Sequence, residues 1–220
     1  MKVFILSETA ILLIAVIIAL LICGSKWGIP PFGFLRNQRI KKLAGNDGKY
    51  ALENVTPINN SPLDGMNICY LGSSVTYASS LQTSFAEYIA KRNNTTFVKE
   101  AVSGTTLTQG KNSYVERLQK IDRSQKFDLF ICQLSTNDAS QNKPIGNIDD
   151  DSLDTVCGAI NFIIRYVKET WNCPTVFYTN AYYKSDRYEA LTVSLQKIAK
   201  KENISVIDLY NDASFNDITD

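Results

Sequence analysis

Cys69-Tyr70-Leu71-Gly72-Ser73-Ser74-Val75-Thr76-Tyr77 decides the reading of this chain. The apolar run Met66, Ile68, Cys69, Tyr70 and Leu71 reads as a short buried strand. It stops at Gly72, and two serines follow at once. A Gly-Ser-Ser turn at the carboxyl end of a strand, with a helix signal close behind, is where an α/β sheet presents a nucleophile or a ligand contact.

Downstream, strand and helix patterns alternate. Apolar residues at helical spacing predict helices over Ser84–Lys91 (Phe85, Tyr88, Ile89) and Tyr114–Ile121 (Val115, Leu118, Ile121). Two more helices are predicted over Leu153–Trp171 and Tyr188–Lys201. Strands are predicted over Asn67–Leu71, Thr96–Val102, Phe127–Leu134, Thr175–Tyr178 and Ile204–Leu209. Phe127–Leu134 is nearly continuous in apolar residues, as a central parallel strand covered on both faces should be. The expected fold is therefore a three-layer α/β/α sandwich around a parallel five-stranded sheet. Asn142–Asp151 reads as a loop. Asp149, Asp150, Asp151 and Asp154 are expected to favour the start of the following helix through its dipole, with a metal site the sharper alternative.

The amino-terminal segment is of a different kind. Val3–Cys23 is 21 residues with only Ser7, Glu8 and Thr9 polar, and Ala10–Cys23 is 14 unbroken apolar residues. Apolar side chains cover every face, so a core helix is disfavoured and a single membrane-spanning anchor is expected over residues 1–25. No small-x-small cleavage site is clear, and Ile22 stands where a lipoprotein signal needs a small residue. Lys26, Arg36, Arg39, Lys41 and Lys42 follow the span and only Lys2 precedes it, which by charge favours a cytoplasmic domain. Residues 26–63 read as a connector broken by Gly28, Pro30, Pro31 and Gly33, and residues 64–220 as the globular domain.

Composition excludes several classes. The net charge of +1 over 220 residues gives no footprint for nucleic acid. There is no His, and the five Cys are scattered without a Cys-x-x-Cys pair, so buried thiols are expected rather than zinc or a disulfide framework. Neither Gly-x-Gly-x-x-Gly nor a P-loop follows the first strand, which counts against nucleotide binding. No cofactor is expected.

Three strand ends are unusual together: Gly72-Ser73-Ser74-Val75-Thr76, Ala101-Val102-Ser103-Gly104-Thr105-Thr106 and Gln133-Leu134-Ser135-Thr136-Asn137-Asp138. Each alone is a common turn. On one edge of a parallel sheet they offer a serine hydroxyl, a glycine N–H and an asparagine amide: a nucleophile and two oxyanion donors.

These blocks resemble the SGNH/GDSL hydrolase superfamily over about Asn67–Asn211. Gly72-Ser73-Ser74-Val75-Thr76 is similar to the first block, Gly-Asp-Ser-x-Thr, with Ser73 in place of Asp. The resemblance implies that Ser74 is the nucleophile, and that its backbone N–H, the Gly104 N–H and the Asn137 side chain form an oxyanion hole. It also implies a flavodoxin-like fold, small acyl-ester substrates such as O-acetyl groups of cell-envelope glycans, and a single-pass membrane protein with its domain extracytoplasmic, against the charge count. The family's acid and base lie in a fourth block, Asp-x-x-His. Here Val206-Ile-Asp-Leu-Tyr-Asn-Asp212 is followed by no such block, so an incomplete chain lacking the closing helix is expected, with a catalytically silent form as the alternative. Asp138, Asp208 and Asp212 are the nearest substitutes for the base, and an ordinary Asp, with a pKa near ~3.9, is poorly matched to deprotonating serine. The alternative function is a non-catalytic module binding a glycan or carboxylate on the same edge.

Overall fold

The computed structural model describes residues 2–217, with side chains from Glu8 onward. The chain divides into two units. One comprises the residues up to Val55 together with Ser80–Thr83, and the other comprises Thr56–Ser79 and the residues from Ser84 onward.

In the first unit, α1 (Lys2–Trp27) is one continuous helix, and its stretch Glu8–Trp27 is long and apolar enough to cross a membrane. It is followed by α2 (Phe34–Lys41), which the reading of residues 26–63 as an irregular connector had not anticipated. The physical reason is simple. Gly28, Pro30, Pro31 and Gly33 all precede Phe34, so they end α1 and leave the next eight residues free to coil. Gly24 and Gly33 sit where a Cβ would lie 2.5 Å from Phe32 and 2.4 Å from the Gly28 carbonyl, so the turn between the helices tolerates no larger residue. Short 3-10 turns follow at Ala44–Asn46, Gly48–Tyr50 and Leu52–Asn54. Asn46 ties Ser80–Thr83 into this unit, donating to the Ser80 carbonyl at 3.0 Å and accepting from Gln82 N at 2.8 Å.

The second unit contains β1 (Asn67–Gly72), α3 (Ser74–Tyr77), α4 (Phe85–Asn93), β2 (Thr96–Ala101), α5 (Tyr114–Leu118), β3 (Leu129–Gln133), α6 (Thr136–Ser140), α7 (Val156–Thr170), β4 (Thr175–Tyr178), α8 (Asp186–Glu202) and β5 (Ser205–Ile207). The five strands form one sheet in the order β2-β1-β3-β4-β5, with every neighbouring pair parallel. Alternate residues of β1 serve opposite faces. Cys69 and Leu71 join the core formed with α5, α7 and α8 through Leu118, Ile160 and Leu195. Ile68 and Tyr70 join the core formed with α4 through Ala86, Phe85 and Ile89. Burial on both faces explains why β1 and β3 are apolar without alternation.

Helix starts differ from the sequence-based bounds in both directions: α4 begins just after Ser84 and α7 after Thr155, α5 begins at Tyr114 as predicted, and α8 begins before Tyr188, at Asp186. Ser84 and Glu87 form a capping box at α4, and Ser113, Thr155 and Ser185 each accept an N–H at the start of α5, α7 and α8. Asn94 and Asn203 adopt the left-handed conformation that ends α4 and α8. The acidic run lies differently from expectation. With Thr155 as the cap, α7 begins at Val156 and has no acidic residue in its first turn. Asp150 instead accepts from Ser152 N at 3.0 Å and Thr155 Oγ1 at 2.9 Å, while Asp149 pairs with Lys201 and Asp151 with Arg165.

Because β1 continues on one side to β2 and the chain then returns to β3 on the other, the strand order reverses at β1. In open parallel sheets, ligands bind at that switch point, outside the carboxyl ends of the strands. Gly72 closes β1 there. A Cβ on Gly72 would lie 1.7 Å from Thr76 Oγ1 and 3.0 Å from Gln133 Oε1, because α3 turns back over the strand end at once. Gly72→Ala should therefore lower stability by about 1–3 kcal/mol through overpacking. A fall in the urea midpoint with an unchanged m-value, in detergent-solubilised full chain, is the expected result.

Candidate active site

The site is built from loops at the carboxyl ends of β1, β2, β3 and β4. The first loop separates the two serines. Ser73 is fully buried, with its N–H donating to Gln133 Oε1 at 2.9 Å and its hydroxyl 3.4 Å from the same oxygen. Ser74 is the first residue of α3 and is half-buried, and among the described residues its hydroxyl makes no hydrogen bond. The backbone of Ser73 (φ −118°, ψ −135°) makes the sharp change of direction from strand to helix. One serine is consumed in holding the turn, and the other stands at its surface.

Gln133, at the end of β3, is the clamp. Its Oε1 also accepts from Thr76 Oγ1 at 2.9 Å, and its Nε2 donates to Asn180 Oδ1 at 3.3 Å. Thr76 Oγ1 is in turn 2.7 Å from the Tyr178 hydroxyl. Sequence reasoning passed over Gln133 as part of an apolar run. The available signal was a lone amide at the end of a strand buried on both faces, where an unpaired polar group is costly and a partner is implied.

The second loop turns at Gly104, which is exposed with φ +82°, a left-handed conformation that favours glycine. The third loop grips the second. The Asn137 side chain donates from Nδ2 to the Thr105 carbonyl at 2.8 Å, and Ser135 Oγ donates to the same carbonyl at 3.2 Å. Ser135 also caps α6. Asp138 is fully buried and accepts from Leu107 N at 2.7 Å and Thr108 N at 3.2 Å. Burial pushes the Asp138 carboxyl above its ordinary value, and the two backbone N–H groups act in the opposite direction. The structure thus brings the loops of Ser74, Gly104 and Asn137 together, by bonds from Asn137 to Thr105 and from Val102 N to the Gly72 carbonyl (3.3 Å).

The carboxylates considered as bases are otherwise engaged. Asp138 is turned inward onto backbone. Asp208 accepts from Thr179 Oγ1 at 3.1 Å, Gln196 Nε2 at 3.0 Å and Asn211 Nδ2 at 2.8 Å. Asp212 is exposed and held below the usual carboxylate range by hydrogen bonds from Ser214 and the Phe215 N–H. On the β4 and β5 side of Ser74 an open groove of about 350 Å³ is lined by Val75, Thr136, Tyr178, Asn180, Leu209 and Phe215. It is mostly apolar, apart from the Thr136 and Asn180 side chains. Two larger hollows, of about 620 and 440 Å³, lie elsewhere around Lys168, Asn172 and Glu202, the smaller of them at the amino ends of β4 and β5. By the switch-point argument they are at the wrong end of the sheet for the chemistry.

No family model matches the sequence, and no curated protein matches it. Solved structures do. A protein described as a GDSL-like lipase from Bacteroides ovatus superposes with a TM-score of 0.53 at 20% identity, over 67% of this chain and 86% of that one. An acetyl xylan esterase superposes with a TM-score of 0.53 at 14% identity, over 69% of this chain and 80% of that one. A protein from Lactobacillus plantarum gives a TM-score of 0.62 at 19% identity, over 70% and 82% of the two chains. The reversal of strand order at β1, the strand-end position of the Gly-Ser-Ser turn and these superpositions lead to one conclusion: the chain has the SGNH/GDSL hydrolase fold.

Proposed function

We propose that the second unit is a serine ester hydrolase scaffold with Ser74 as nucleophile. The observation that carries this reading is the contrast between the sealed Ser73 hydroxyl and the uncommitted Ser74 hydroxyl, the latter beside two loops joined through Thr105. Ser74 Oγ attacks the acyl carbonyl carbon. The carbonyl oxygen becomes an oxyanion and takes hydrogen bonds from the Ser74 N–H, the Gly104 N–H and Asn137 Nδ2. One Nδ2 hydrogen is used by the Thr105 carbonyl, which holds the amide and leaves the other for the oxyanion. The tetrahedral adduct collapses with loss of the alcohol, and water releases the acyl group from Ser74.

The weak point is proton removal. The 220 residues contain no histidine, and Asp138, Asp208 and Asp212 are committed to other bonds. In another serine hydrolase, loss of the triad imidazole costs about 10⁶ in kcat and leaves roughly 10³–10⁴ over water. We therefore read these 220 residues as a slow catalyst. The missing imidazole is also the observation that favours the second reading, a non-catalytic module binding a glycan or carboxylate on the same edge.

The substrate class we infer is small acyl esters, including O-acetyl groups of cell-envelope glycans. Support comes from similarity to a structure named as an acetyl xylan esterase and from the amino-terminal helix suited to a membrane. On this reading α1 anchors the protein and the hydrolase unit faces outward. Protease treatment of intact cells tests this: digestion of the domain is expected, and protection would place it inside.

An alkyl fluorophosphonate should label wild type and Ser73→Ala at Ser74 and leave Ser74→Ala unlabelled. Labelling of Ser74→Ala but not of Ser73→Ala would reverse the assignment. Absence of labelling in wild type would favour the binding module. Hydrolysis of p-nitrophenyl acetate by the same 220 residues should lie about 10³-fold or more below that of a histidine-equipped serine hydrolase. Fast turnover would show that another group serves as the base.

A further inference from the structure

Arg117 is 5% exposed, yet among the described residues no carboxylate forms an ion pair with it. Glu100 and Glu116 act on it only at longer range. Its guanidinium is held instead by neutral oxygens at the strand ends. Nη2 donates to the Gly72 carbonyl at 2.7 Å and lies 3.3 Å from Thr105 Oγ1, Nη1 donates to the Glu100 carbonyl, and Nε donates to the Asn112 carbonyl at 3.0 Å. The Tyr114 ring covers it, 5.2 Å from Cζ to the ring centroid. A buried cation with no counter-ion carries a desolvation cost that neutral acceptors offset only in part. A methionine or leucine at this position on α5 would fill the space without that cost, so the charge calls for a role of its own.

Its bonds indicate one. Thr105 Oγ1, beside Arg117 Nη2, donates to the Val102 carbonyl at 2.7 Å and so closes the turn that carries Gly104. The Thr105 carbonyl is also the anchor of the Asn137 amide. Gly72, whose carbonyl faces the same Nη2, ends the strand that leads into Ser74. One guanidinium therefore touches the supports of all three candidate oxyanion donors. The planar fork meets four acceptors at once, and a lysine ammonium in its place would keep the positive charge and part of these bonds.

We propose that Arg117 is a positioning residue for the oxyanion hole: it braces the Val102–Thr105 turn and the end of β1, and its fixed positive charge lies beneath the place where negative charge develops. This rests on the reading of Ser74 as nucleophile. Donors and charge fixed before reaction need no reorganisation when the oxyanion forms, which is how such groups accelerate acyl transfer.

The test compares full-length wild type with Arg117→Lys, Arg117→Met and Thr105→Val by the second-order rate of fluorophosphonate labelling. In that step the Ser74 Oγ–P bond forms, the P–F bond breaks, fluoride leaves and the hydroxyl proton passes to solvent. Thermal unfolding is measured on each variant. Arg117→Met should label about tenfold or more slowly, Arg117→Lys should recover most of that loss, and Thr105→Val should fall between them. A purely structural role would make the lysine and methionine variants fall together, in proportion to their unfolded fractions. Labelling of Arg117→Met at the wild-type rate, or of Arg117→Lys as slowly as Arg117→Met, overturns the proposal. If Arg117→Met does not fold, an unchanged rate in Thr105→Val overturns it and a slowed rate with intact unfolding supports it. If wild type itself does not label, the esterase reading has failed, and acetate titration followed by NMR decides the question separately. An affinity at least about tenfold weaker in Arg117→Met but kept in Arg117→Lys supports the proposal, and equal affinity or no binding overturns it.

Discussion

The carboxamide of Gln133 is the interaction on which the strand-end architecture depends. A single buried side chain takes the Ser73 N–H and the Thr76 hydroxyl on its oxygen and gives its nitrogen to Asn180. The turn after β1, the end of β3 and the segment after β4 are thereby held in one arrangement. The amide suits the position because it donates and accepts at opposite ends and carries no charge. A carboxylate there could accept from the turn but could not serve Asn180, and it would carry the desolvation cost of a buried charge. Buried hydrogen-bond networks of this kind stiffen what they touch, and this one, in which Asn180 Nδ2 finds no partner among the described residues, lies directly under the turn that presents Ser74.

Asp138 does for the second loop what Gln133 does for the first. Its two oxygens hold the N–H groups of Leu107 and Thr108, so the chain after Gly104 is fixed to the loop that carries Asn137. Arg117 closes the arrangement from below through carbonyls of β1 and β2. The polar side chains under the site are thus occupied with backbone, while the Ser74 hydroxyl stands clear. On the proposed reading of Ser74 as nucleophile, a scaffold that fixes donors in this way is prepared for an oxyanion.

Much of the fold was legible because its signals are local. The strand Thr175–Tyr178 has the bounds read from its apolar run, the other strands differ from theirs by a residue or two at an end, and α4 and α7 start later than read because Ser84 and Thr155 are caps. The helix Phe34–Lys41 was missed because turn residues before it were taken to break the whole region. The short helices Ser74–Tyr77 and Thr136–Ser140 were beyond reach, since four or five residues carry no readable periodicity. The three loops of the candidate site could be singled out because glycine, serine and asparagine at successive strand ends are few. Gln133 and Arg117 could not, because a lone polar residue in an apolar segment does not say what it will meet.

By itself, the sequence determined the alternation of strands and helices, the apolar amino-terminal segment and the three strand-end motifs, since each depends on neighbours a few positions apart. It also determined that no imidazole is present. Tertiary structure decided which of two adjacent serines is sealed and which is free, because that turns on a glutamine 60 positions away from Ser73. It decided that Asp138 faces backbone rather than the site, and that a guanidinium 45 positions from Gly72 lies beneath the turn. Such contacts are made by the order in which strands join the sheet, and composition and spacing along the chain hold no record of that order.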